Sequence, residues 1–138
     1  MTVNIASINW PKDHKVAVKL YRNFMVKVLE LLNISFTHPE NNPLELSKDY
    51  LNGKVSEEVL GNAAIFWWNY IDEKEGIRNF QDKDLLMARL AICLLSVKEI
   101  DFPVLGEHLS WFFEVLGFLG VDLREAINLM GTHFDFSS

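Results

Sequence analysis

The residues that could do acid–base, nucleophilic or metal chemistry are few and far apart. The four histidines, His14, His38, His108 and His133, show no ligand spacing. No H-E-x-x-H pair, Gly-rich phosphate loop or nucleophile elbow is present. Cys93 lies in "LLMARLAICLLSV", residues 85–97, where its only nearby cations are Arg89 and Lys98. A thiol in such company is expected to be an inert core group. Glu107 and Glu114 share one side of a helix but stand two turns apart, about 10 Å by helical rise. Nothing near them would set one as acid and the other as base. The expectation is a chain that is not an enzyme and carries no cofactor and no metal.

Two further positions deserve a chemical reading. Arg89 is the only charge after Asp84 in its apolar stretch. A guanidinium there must snorkel to water or meet a carboxylate or backbone carbonyls. A structural ion pair is expected at Arg89, with anion or substrate binding as the alternative. His108 falls beside an apolar stripe and reads as a buried, hydrogen-bonded histidine, the sharper alternative being a catalytic base.

The strongest local signal is aromatic. "GNAAIFWWNYIDEKEG", residues 61–76, holds Phe66, Trp67, Trp68 and Tyr70 and then turns acidic. Placed on a helix at 100° per residue, Trp67 centres a face shared with Leu60, Ala63, Ala64, Tyr70 and Ile71. That is the expected core face. Trp68 points about 100° away, towards Gly61, Glu57, Asp72 and Glu75, with Ile65 farther round the same side. Either another helix covers Trp68, or it anchors a surface patch. Trp is enriched at interface hot spots, so Glu57, Trp68, Asp72 and Glu75 are the candidate partner-binding residues.

The elements that carry these residues read as helices almost throughout. The first is expected from about Pro11 to Leu32, capped by Asn9, with Val16, Leu20, Phe24, Val28 and Leu32 inward and Tyr21, Met25 and Leu29 beside them. Lys12, Lys15, Lys19 and Arg22 then form a solvated basic face. "ISFTHPENNP", residues 34–43, is a loop. A short helix follows from Leu44 to Asn52, closed by Gly53. Ser56 caps the aromatic helix, which is expected to run to about Glu75 and stop at Gly76. Asp82 caps a central helix from Lys83 to about Val97. Another runs from Pro103 to about Phe118, with a second apolar strip of Val104, Trp111 and Phe118. Asp122 and Glu125 have capping-box spacing for a last helix ending near Gly131. The prediction is a single all-α domain over residues 1–138, a compact bundle of about six helices. Trp67, Leu86, Leu90, Cys93, Leu109, Phe112 and Leu116 are expected in one core.

Composition narrows the partners. The 138 residues are 49% hydrophobic with one cysteine and a formal net charge of −6. That suits one domain with a sizeable core and no disulfide. The first 15 residues lack the basic and then apolar plan of a signal peptide, and the longest apolar run is too short to span a bilayer. A cytoplasmic protein with no membrane partner is expected. Charge is uneven: residues 1–33 hold five basic residues against Asp13 and Glu30, a balance of +3, whereas the rest holds 8 basic and 17 acidic residues, a balance of −9. Such acidity repels nucleic acid and attracts a basic partner.

At "WWNYIDEKEGIRNF" and "DKDLLMARLAICLLS" the chain resembles the small, acidic, all-helical immunity proteins of bacterial polymorphic-toxin and contact-dependent inhibition systems. The likeness is one of size, charge and aromatic-rich helices over most of the chain, and it carries over no residue role. It implies a protein that binds a cognate toxin domain, often a basic nuclease, and blocks its active site or substrate groove. Mimicry of nucleic-acid charge would serve that purpose. A second reading is another helical interaction or regulatory module, including a homodimer through Trp68 or the Trp111–Phe118 strip. A third is a small-ligand binder or enzyme with an interhelical pocket near Arg89 and His108.

Overall fold

The computed structural model describes residues 4–37, 40–74 and 81–136. These residues form an all-α bundle of six α-helices: α1 His14–Leu31, α2 Pro43–Leu51, α3 Glu57–Glu73, α4 Lys83–Leu95, α5 Leu105–Phe118 and α6 Arg124–His133. A 3-10 turn at Ile5–Ser7 precedes α1, and a second at Glu99–Val104 leads into α5. Among the described residues no strand forms. One isolated antiparallel bridge, Ile8 to Phe136, brings the two ends of the described chain together. No helix among them is long and apolar enough to cross a membrane.

The caps explain where the helices begin. Asp13, not Asn9, caps α1, its carboxylate accepting the N–H groups of Lys15 and Val16. An ionised oxygen beside the first free amides does this better than a distant amide. Asn9 instead donates its backbone N–H to the Asp135 carbonyl at 2.7 Å, beside the terminal bridge. Asn42, Ser56 and Asp82 cap α2, α3 and α4 through their side chains. The expected α5 start at Pro103 is corrected to Leu105, because Pro103 belongs to the 3-10 turn. The capping box at Asp122 does not form: its carboxylate takes the N–H and guanidinium of Arg124 instead. The expected stop at Gly76 lies outside the described residues.

α4 is the centre of the bundle. It packs on α2, α3 and α5 and also touches α1, and ten of its residues are buried. That is why its sequence is apolar nearly all round. Trp67, Leu86, Leu90, Cys93, Leu109, Phe112 and Leu116 all belong to the one core. Burial pushes the Cys93 thiol up to about 12, which leaves it unreactive.

α1 departs from its sequence reading. Its buried face is centred on Ala17, Tyr21, Phe24, Val28 and Leu29, and Val16 is exposed. Arg22, assigned to a solvated basic face, is fully buried. Its Nε donates to the Leu94 carbonyl at 2.8 Å and its Nη2 to the Val97 carbonyl at 2.6 Å. Leu94 is in the last turn of α4 and Val97 lies two residues beyond its end, where backbone oxygens lack helical partners and partial negative charge accumulates. Its guanidinium also lies 4.8 Å from the centroid of the Tyr50 ring. Arg22 therefore acts as a tertiary C-cap that ties α1 and α2 to the central helix.

Candidate functional site

α3 carries the candidate site because its two sides do different work. Packing against α4 buries Leu60, Ala63, Ala64, Trp67 and Ile71. Trp67 is 4% exposed, and its indole N–H donates to the Asn41 carbonyl at 2.9 Å. Phe66, Tyr70 and Phe36 surround its ring. At the C-terminal end of α3 the Tyr70 hydroxyl donates to the Asp84 carboxylate, which Lys74 also reaches at 3.0 Å. Hydrogen bonding to the Tyr70 side chain, and after it to the Asp84 carboxylate, raises the pKa of Lys74.

A second side of α3, about 100° round from Trp67 by helical geometry, is exposed at Trp68 and Ile65. Trp68 is 45% and Ile65 57% exposed. Gly61, Trp68, Asp72 and Ile65 follow one another around that side by helical geometry, with Glu57 and Glu58 at its first turn. Glu58 and Asp72 are exposed and Glu57 is half-exposed. None of these three carboxylates is in an ion pair among the described residues. Glu75, the fourth acidic candidate, lies outside the described residues. Of the expected partner-binding set, Glu57, Trp68 and Asp72 thus share one exposed helix side.

Arg89 and His108 stand in different surroundings. Arg89 is buried at 7% exposure, as its apolar neighbours require, and that burial lowers its pKa against a small opposing effect of Cys93. His108 is half-exposed rather than buried, its Nε2 standing 3.9 Å from Asp101 of the turn before α5. Phe118 is exposed and Trp111 half-buried. A cavity of about 1020 Å³ opens between the 33–37 loop, α3 and α4, lined by Phe36, Trp67, Tyr70 and Met87. Neither Arg89 nor His108 lines it. Among the described residues no group of three His, Cys, Asp or Glu side chains is placed to hold a metal ion.

The sequence reading missed one component of the site. Lys98, just after α4, reaches across to α3: its Cε and Nζ lie 3.3 Å from where a Cβ on Gly61 would stand. The signal was present. A glycine inside a helix costs about 1 kcal/mol against alanine, so Gly61 marked a close approach. The sequence could not say what approached.

No family model, curated protein or solved structure matches the chain. The site is therefore read from its own residues.

Proposed function

We propose that this chain is an immunity-type protein that binds and neutralises a basic, nuclease-like toxin domain through the outer side of α3. The observation that carries the reading is the pairing of Trp68 with Ile65 as exposed apolar groups beside carboxylates that have no ion pair among the described residues. A buried-edge aromatic with an apolar neighbour supplies desolvated contact area, and surrounding acids speed encounter with a basic surface. The net charge of −6 points the same way. A helical interaction module with another basic partner would use the same surface and is the second reading.

The test is a titration of the protein against the toxin domain encoded beside its own gene, with cell growth scored on co-expression. Nanomolar binding that weakens with salt, together with rescued growth, supports the reading. A gene neighbourhood without a toxin, or a neighbouring toxin that is neither bound nor blocked, overturns the immunity role.

A further inference from the structure

We infer that the cavity beside the 33–37 loop is a groove for an extended segment of a partner protein, which pairs its main chain with Ser35 and Thr37 and sets a bulky apolar side chain against Tyr70 and Met87. The inference does not rest on the outer side of α3 and concerns a second surface.

The backbone of this loop has one used edge and one open edge. Past the end of α1, the positive φ of Asn33, 56°, turns the chain out of the helix. From Ile34 to Thr37 the chain forms neither helix nor turn, and burial alternates: Ile34 is half-buried and Phe36 buried, while Ser35 and Thr37 are exposed. That is the pattern of an extended run. In such a run the N–H and C=O of one residue point to one edge, and those of the next residue to the other. The fold uses the edge of Ile34 and Phe36. The Ile34 N–H donates to the Leu29 carbonyl at 2.9 Å, and the Phe36 carbonyl accepts from Asn42 Nδ2 at 3.5 Å. On the other edge, no backbone hydrogen bond forms at Ser35 or Thr37 among the described residues. Unpaired edge groups of this kind are a template for an added strand.

The cavity lies along that open edge. It measures about 1020 Å³, and five consecutive residues, 33 to 37, line it. Alternate side chains of an extended run face opposite ways, so five in a row share one cavity only where it follows the backbone. At about 3.3 Å per residue they span about 13 Å, room for about four paired residues. The other walls are aromatic or aliphatic: Tyr70, Met87, Leu119 and Val121, each partly exposed, and the buried Trp67. Rings and a flexible thioether adapt to varied apolar side chains. An occupant therefore gains main-chain hydrogen bonds from one wall and apolar burial from the others. A second copy of this chain fits poorly. The edge it would bring carries only Ser35 and Thr37 outward, while its Ile34 and Phe36 face its own core. The net charge of −6 also opposes self-pairing and favours an occupant with basic flanks.

The test uses nitrogen-15 NMR of the full chain with the capped peptide acetyl-Lys-Phe-Thr-Val-Lys-amide as the probe. Saturable shifts are expected at Ser35, Thr37, Met87 and the Trp67 indole. Hydrogen exchange in the complex should slow at the Ser35 and Thr37 amides and stay unchanged at Phe36. Methylating one set of alternate peptide amides should weaken binding about tenfold, and methylating the other set about twofold at most, because only one edge of the peptide pairs. Replacing the peptide's Phe by Ala should weaken binding about tenfold. Thr37→Pro removes an amide that the fold does not use. It should weaken binding about fivefold while the melting temperature stays within a few degrees. Equal losses from the two methylated peptides, with no slowed exchange at Ser35 and Thr37, would overturn main-chain pairing. Indole alone reproducing the Trp67 and Met87 shifts while the peptide fails would overturn the peptide occupant in favour of a small aromatic molecule. Shifts confined to the outer side of α3 would overturn the groove and leave that surface standing. A dimer seen by sedimentation that Thr37→Pro abolishes would overturn the occupant in favour of a second copy. No saturable shift at millimolar peptide would overturn the groove as well.

Discussion

Trp67 and Trp68 are neighbours in the chain and point to opposite fates. Trp67 is 4% exposed, with its indole N–H spent on the Asn41 carbonyl and three aromatic rings around it. Trp68 is 45% exposed beside Gly61, Ile65 and Asp72. The same contrast holds for two cations near the end of α4. Arg22 is buried with two backbone carbonyls as acceptors, whereas Lys98 lies over Gly61 with no carboxylate in ion-pair range among the described residues. On the inner side polar groups are consumed in holding the fold. On the outer side they are left available, which is what a recognition surface requires.

The contrast can be broken most forcefully from the inside. Trp67→Ala should cost about 3–5 kcal/mol, because it opens a core cavity and strips the Asn41 carbonyl of its donor. Chemical denaturation with the slope held common to both proteins measures it. A loss below about 1 kcal/mol would mean that the inner side tolerates what the fold forbids.

Arg22→Met is the next largest. It keeps much of the side-chain volume but leaves the Leu94 and Val97 carbonyls without their donor in a buried place. A loss of about 3 kcal/mol is expected from two orphaned acceptors. Hydrogen exchange should speed up first at the amides of the last turn of α4. Uniform exchange across the bundle would contradict a local capping role.

On the outer side the same size of change should barely register in folding. Reversing Glu58 and Asp72 to Lys should alter stability by less than about 0.5 kcal/mol, as surface charge changes usually do. The same variant should slow association with a basic partner and flatten its salt dependence. Stopped-flow mixing at two salt concentrations separates the two effects.

The smallest expected effect concerns pH and sharpens the inside further. His133 is half-buried against Phe24 and Phe134, with its Nε2 3.0 Å from the Leu20 carbonyl. Burial lowers its pKa below the ordinary value of 6.5. As pH falls, the unfolded chain takes up this proton before the folded one does. The contribution is therefore complete above about 6.5 and declines as pH falls from there towards the lowered value. Melting temperature should drop modestly between pH 7 and 5, and His133→Phe should reduce that drop. A variant with an unchanged pH profile would assign the acid sensitivity to other groups.

The helical class, the caps at Ser56 and Asp82 and the core of α4 were legible in the sequence, because each rests on local spacing that tertiary packing merely completes. The division of α3 into a Trp67 side and a Trp68 side was legible for the same reason. Arg22 was not. Helical periodicity places it with Lys15 and Lys19, and only the approach of α4's carbonyl end, 72 residues away in the chain, turns that position inward. Lys98 was hidden in the same way: its reach to Gly61 depends on how α4 ends against α3. His108 was read as buried because it lies near a core stripe, yet the turn before α5 leaves it facing Asp101. What the sequence conceals is long-range pairing of charge with backbone.

The central claim is that Trp68 serves binding and not the core. The most direct test sets a binding titration with the basic partner proposed above beside a thermal melt of one variant, Trp68→Ala. The expected result is a loss of about thirtyfold or more in affinity, mainly through faster dissociation, which corresponds to about 2 kcal/mol. The melting temperature should stay close to that of the unaltered protein. Unchanged affinity with a melting temperature lowered as far as in Trp67→Ala would contradict the account, and both tryptophans would then belong to packing.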